Sequence, residues 1–243
     1  MDAAASAVWK GNLMRTRLFA ALAGSILAAG LLTACATPAV SGASPDPGVA
    51  DAAPAWQVGA GWLDGGKTIA LVTWGSSSCD PTVGKVAVTD GMLVVSLREP
   101  EPGPCTDDLV ARPLEIGTPR GVEPVDGARV RVSLGDATAE VDLDAYAGGP
   151  IEEFRPSAAW VGDRTIALRT WGSSTCPPVV EDTRSESPAS VVVRFAVPDA
   201  DQMCTADMAP QLTIVQLDPG ADVNRDATLS FGVLDAEGAV PIR

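Results

Sequence analysis

The stretch TWGSSSC at Thr73–Cys79 returns almost unchanged as TWGSSTC at Thr170–Cys176. The likeness extends outward. Thr68–Pro81 (TIALVTWGSSSCDP) and Thr165–Pro178 (TIALRTWGSSTCPP) agree at eleven of fourteen positions. Upstream, Trp62 matches Trp160 and Trp56 matches Phe154, once one residue is dropped between these positions and the TIAL run. Downstream, CTDDL at Cys105–Leu109 matches CTADM at Cys204–Met208, and the run from Ala128 aligns with the run from Ala227. Solenoid repeats have periods of roughly 20–50 residues. A copy of about 90 residues that spans nearly the whole chain after its first quarter means two tandem modules, expected at 56–148 and 149–243.

Each copy reads as all-β. Short runs rich in Val, Ile, Leu and Thr alternate with Gly, Pro and Asp, the pattern of strands and tight turns. Strands are predicted near 67–74, 85–89, 92–97, 109–116, 129–134 and 138–143 in the first copy. In the second they are predicted near 165–171, 190–197, 211–217, 228–234 and 238–242. Asp90-Gly91 is a two-residue hairpin signal, because both residues tolerate the positive φ of a primed turn. Many short strands at close spacing suggest a small β-sandwich or barrel. A module of this length is marginal as a free-standing core, so a covalent staple is expected.

The cysteines can supply it. Of five, Cys35 stands apart, leaving Cys79 and Cys105 in the first copy and Cys176 and Cys204 in the second. Four cysteines allow three pairings, and the duplication selects Cys79–Cys105 and Cys176–Cys204, one bridge per copy. These spacings are not those of zinc sites, and the chain contains no histidine, so no metal site is expected.

Cys35 ends a different kind of segment. A basic start at Met14–Arg17 precedes the uncharged run Leu18–Leu32, which is short for a membrane span, and then LTAC at Leu32–Cys35. That order is the order of an export signal. Its last four residues resemble the lipobox of bacterial lipoproteins. The resemblance implies that the Cys35 sulfur is joined by a thioether to diacylglycerol and that Cys35 becomes the mature N-terminus. Residues 1–34 would then be a signal peptide, with Met14 the expected true start because the preceding MDAAASAVWKGNL does not fit one. The same resemblance implies a cell-membrane location on the extracytoplasmic face. Residues 36–55 are dominated by Ala, Pro, Ser and Gly without apolar periodicity, so 35–55 is read as the lipidated cysteine and a flexible linker, with a reach of roughly 25 Å.

Counted from Cys35, the chain carries 14 Lys and Arg against 30 Asp and Glu, a net charge of −16. Nucleic-acid binding rests on neutralising phosphates with basic side chains, so this balance excludes it. It equally disfavours lying on anionic lipid. The expected partners are the membrane, through lipid on Cys35, and an envelope protein, peptide or glycan. No cofactor is expected.

The repeated phrase itself has two readings. In the first, Trp74 and Trp171 close an apolar strand near the edge of the core, packed over the disulfide with the indole N–H on a turn carbonyl. The glycine then permits a sharp turn and the serines satisfy turn backbone groups. In the second, Trp74, Ser76, Ser77, Trp171, Ser173 and Ser174 form exposed binding surfaces for a glycan or peptide. A catalytic serine has little support. No histidine can activate Ser76, Ser77 or Ser78, and a lysine base at Lys67 is replaced in the second copy by Arg164, which stays protonated. Asp107 and Asp207 are read as turn or cap residues beside the matched cysteines. The segment Asp222–Ala227 starts like a calcium loop but lacks its glycine and terminal glutamate. The expectation is a non-enzymatic envelope binding or structural protein, with a carboxylate-dependent hydrolase as the alternative. The second copy has Arg169 where the first has Val72, so that face of the second module is expected to be only half covered.

Overall fold

The computed structural model describes residues 56–149, 152–233 and 236–243. Cys35 and the segments expected to be a signal peptide (1–34) and a linker (36–55) lie outside these residues. Among the described residues no helix is long and apolar enough to cross a membrane.

The first module contains β1 (Val58–Leu63), β2 (Thr68–Gly75), β3 (Thr82–Thr89), β4 (Met92–Arg98), β5 (Val110–Gly117), β6 (Ala128–Leu134) and β7 (Ala137–Leu143). The second repeats them as β8 (Ser157–Trp160), β9 (Thr165–Gly172), β10 (Val180–Ser187), β11 (Ser190–Phe195), β12 (Ala209–Gln216), β13 (Thr228–Val233) and β14 (Ala236–Pro241). Each module has a three-stranded sheet (β1-β2-β5 or β8-β9-β12) and a four-stranded sheet (β3-β4-β6-β7 or β10-β11-β13-β14). β4 and β6 run parallel, as do β11 and β13, because the chain visits the facing sheet as β5 or β12 between them. These are two β-sandwich-like modules. The β3–β4 hairpin turns at Asp90 and Gly91, both at positive φ, 52° and 75°, as the primed turn requires.

β1, β8 and β10 escape a reading by hydrophobic pattern. VGAGWL and SAAW are rich in Gly and Ala, which strands usually avoid. The edge strand VEDTRSES has no buried apolar row and is largely exposed. What commits all three is pairing: β1 to β2, β8 to β9 and β10 to β11.

Alternation along β2 sends Ile69 and Leu71 into the first module's core with Trp62, Leu93, Val95, Val130 and Val132. Ile166 and Leu168 do the same in the second, with Trp160, Val191, Val193 and Leu229. The deepest tryptophans are therefore Trp62 and Trp160. Their indole N–H groups donate to Asp144 O at 2.8 Å and Arg225 O at 2.9 Å, the carbonyl contact expected instead for Trp74 and Trp171. Trp56 packs against the first core, whereas its match Phe154 is 50 % exposed and meets Trp171 edge-on.

The opposite faces of the three-stranded sheets are also covered, by each other. Leu63, Ala70 and Val72 from the first module share a third apolar cluster with Ala159, Val161 and Ala167 from the second, flanked by Trp74, Ala111, Leu212 and Ile214. Equivalent strands meet here, β1 against β8 and β5 against β12, the pattern of a two-fold-related pair. Gly59 and Gly61 make the approach possible. A Cβ built on Gly59 would lie 1.8 Å from Val161 O, and one on Gly61 2.6 Å from Trp160 O.

The half-covered face expected at Arg169 is not found. Arg169 is 4 % exposed. Its Nε donates to Glu115 Oε2 at 2.9 Å, its Nη1 lies 3.8 Å from Asp64 Oδ2, and its guanidinium stacks 4.3 Å from the Trp171 ring centre. Glu115 and Asp64 belong to the other module. By strand register Glu115 matches Ile214, so the approximate two-fold carries Val72 and Ile214 on one side and Arg169 and Glu115 on the other.

Candidate functional site

The repeated phrase sits where the chain leaves one sheet for the other. Ser76–Pro81 joins β2 to β3, and Glu99–Leu109 joins β4 to β5. The Cys79–Cys105 disulfide ties these two connections, and Cys176–Cys204 ties the matching pair. Beside each bridge lies a web of hydroxyls. The Thr106 hydroxyl is 2.7 Å from Ser76 Oγ, 3.2 Å from Ser77 Oγ and 3.3 Å from Ser78 Oγ. It donates to Asp108 Oδ1 at 2.5 Å, which also accepts from the Ser77 backbone N–H at 3.0 Å. The Thr106 N–H donates to Ser78 Oγ at 2.9 Å.

The second copy repeats the web. Thr205 Oγ1 is 2.8 Å from Ser173, and 3.3 Å from both Ser174 and Thr175. It donates to Asp207, which accepts the Ser174 N–H at 3.0 Å. The carboxylate matching Asp207 is thus Asp108, not Asp107. CTDDL against CTADM already carried that signal, as C-T-x-D.

These contacts decide the chemistry of the cluster. The Thr106 hydroxyl, and then the Ser77 N–H, hold Asp108 at a pKa of about 2, and Thr205 and Ser174 do the same for Asp207. A carboxylate that acidic is a weak base. Lys67 precedes β2 and Ser76 follows it. An eight-residue strand separates them by roughly 25 Å, which excludes a dyad.

A buried side chain that sequence reasoning missed fills the turn from beneath. Arg112 is 8 % exposed and donates to Cys79 O at 2.8 Å and Trp74 O at 3.3 Å. Burial lowers its pKa, and Asp80 opposes that shift. At the matching position in β12, Gln211 donates to Ser173 O at 2.5 Å and Cys176 O at 3.3 Å. Gly75 leaves room for the guanidinium, since a Cβ there would lie 2.5 Å from Arg112 Cζ.

Trp74 flanks the apolar cluster between the modules, whereas Trp171 meets Arg169 and Phe154 of its own module and lines a groove together with Cys176. Trp74 shares a groove with Val161–Thr165 at the start of β9, and Trp171 ends that strand. The two WGSS turns therefore stand about a strand length, roughly 20 Å, apart. They form no joint site.

Among the grooves of the described residues, three bear on binding. One of about 610 Å³ lies where the modules join and includes Trp62, Tyr146, Asp64 and Glu152; both carboxylates face arginines, Asp64 towards Arg169 and Glu152 towards Arg155. One of about 980 Å³ surrounds Trp74 and Trp56. The third, about 670 Å³, opens at the mouth of the second sandwich between Trp171 and the Phe195–Phe231 pair. Two of its lining residues carry buried polar atoms with no partner among the described residues, Thr170 Oγ1 and Trp171 Nε1. Such orphans each cost about 1–3 kcal/mol. The segment Asp222–Ala227 forms a turn, with Asn224 N–H on Pro188 O and Ala227 N–H on Asn224 O. No family model, no curated protein and no solved structure matches this chain.

Proposed function

We propose that this chain is a lipid-anchored, extracytoplasmic envelope lipoprotein that acts as a non-enzymatic binding protein for another envelope component, a protein, peptide or glycan. The observation that carries the non-enzymatic part is the double hydroxyl web. The residues richest in potential nucleophiles spend their hydrogen bonds on Thr106, Asp108, Thr205 and Asp207. A duplicated cluster of this kind is a fastener beside a disulfide. The location is supported by the basic-apolar-LTAC order of residues 14–35 and by two disulfides, which persist in oxidising compartments. The surface charge keeps such a module soluble beside an anionic envelope.

Two experiments test the reading. Metabolic labelling with a fatty-acid analogue marks the wild type, while Cys35→Ala remains unlabelled and leaves the membrane fraction. Equal labelling of both refutes the anchor. Cross-linking in the intact envelope followed by purification recovers a defined partner. A chain that cross-links to nothing, yet cleaves envelope glycan or peptide when purified, is a hydrolase instead.

A further inference from the structure

The mouth of the second sandwich differs from the rest of the surface. Trp171, Pro177, Val179, Phe195, Val197 and Phe231 line it, and of its described lining residues only Asp199 is charged. The apolar character continues outside the groove. Val179 is 63 % exposed, Val197 58 %, and Met203 and Met208 on the adjoining disulfide loop 92 % and 55 %. Isolated exposed apolar side chains need no explanation, but a contiguous group around a preformed groove marks an interaction site. Exposed methionines are adaptable and suit surfaces that accept apolar peptide side chains. The first module presents a different floor, because its Arg112 stands where Gln211 stands here.

Resting on the binding reading above, we propose that this groove seats an apolar peptide segment of a partner protein whose flanks are basic or uncharged. Charge complementarity selects the flanks. No Lys or Arg is among the described lining residues, Asp199 sits at the groove, and the whole chain carries −14. An acidic peptide would meet repulsion with no cation to answer it. A volume near 670 Å³ lies within the range of built ligand sites.

The test is selection of a random peptide library displayed on phage against the full chain. It is run in parallel with Val179→Glu/Val197→Glu, both exposed positions that the fold tolerates, and with the remote exposed control Val125→Glu. Selected peptides are expected to share an apolar core with Lys, Arg or uncharged flanks. They should lose at least about tenfold in affinity for the double variant and none for the control. Peptides with acidic flanks, peptides that bind the double variant equally, or no enrichment at all overturn the proposal. So does binding to neutral phosphatidylcholine vesicles that the double variant abolishes while no peptide is enriched, since the occupant is then lipid. A partner cross-linked in the envelope equally well by the double variant removes this groove but leaves the chain a binding protein. Absence of any cross-linked partner removes the broader reading instead.

Discussion

Asp108 and Asp207 illustrate how a short exposed side chain acquires a structural role. Each gathers a threonine hydroxyl and a backbone N–H across the two connections that the disulfide also ties. The pKa of each falls from 3.8 to about 2 on folding. A carboxylate whose folded pKa is depressed contributes stability that is fully present above its unfolded pKa and is lost as pH falls through the folded one. The wild type should therefore lose melting temperature between about pH 4 and pH 2. Asp108→Ala/Asp207→Ala should melt lower than wild type at pH 6, and the gap should close as pH falls through that window. Melting curves recorded from pH 6 to pH 2 check this; a gap that widens on acidification contradicts it. Trp74 makes a second case. It packs against the inter-module cluster, and its ring would stand 3.4 Å from a Cβ placed on Gly59. It is only half-buried, so Trp74→Ala should cost about 2 kcal/mol, below the 3–5 of a fully buried tryptophan. The loss should appear in both modules at once in denaturation followed by module-specific amide exchange. Melting confined to the first module would show that Trp74 belongs to that core alone.

Strands β1 and β8 show an element defined by what it touches. A Gly-Ala strand has little intrinsic preference for its conformation, yet β1 pairs with β2 along its length and lays its bare backbone against β8. Gly59→Val should destabilise by about 3 kcal/mol, at the upper end of overpacking costs, because the collision is with the Val161 backbone carbonyl and not with a side chain that can turn away. Gly117→Ala, whose Cβ would meet nothing within 4 Å, serves as the control. Equal melting of the two variants would remove the close approach from the account. The disulfides act at the same scale. Each closes a loop around one hairpin, with separations of 26 and 28 residues. Loops of that size correspond to about 3–4 kcal/mol in the chain-entropy model. Cys79→Ala/Cys105→Ala should lose about that much while retaining the hydroxyl web, which spans the same two connections.

At the scale of the two modules together, their shared contacts lead to the expectation that they unfold as one unit. They share an apolar cluster, and Arg169 crosses between them to Glu115 and Asp64. Removing one partner of a buried ion pair leaves the others uncompensated. Glu115 and Asp64 keep some solvent, 25 % and 17 % exposed, so Arg169→Ala should cost about 3 kcal/mol, the low end of that effect. Calorimetry should show one transition for the wild type, with calorimetric and van't Hoff enthalpies equal, and one lowered transition for the variant. Two separated transitions in the wild type would mean that the modules fold independently.

The sequence alone determined the duplication, the all-β character, the strands whose apolar residues alternate, and the local pairing of cysteines that duplication makes natural. All of these rest on short-range chemistry: side-chain period, turn residues and two copies of one pattern. The C-T-x-D partner of the WGSS turn was also present there, as Asp108 against Asp207. Tertiary structure decided the rest. Arg169 in one copy and Glu115 in the other each break the repeat's pattern. Read along the chain they look like two unrelated departures, a charge on a strand face and an acid where the other copy has Ile214. Only the packing of one three-stranded sheet against the other puts the two departures in contact, at 2.9 Å. The glycines of β1, weak strand formers when read alone, have their reason in the backbone of β8, in the other copy of the repeat. Local propensity cannot carry that information, because the constraint belongs to a surface that exists only once both sandwiches have formed.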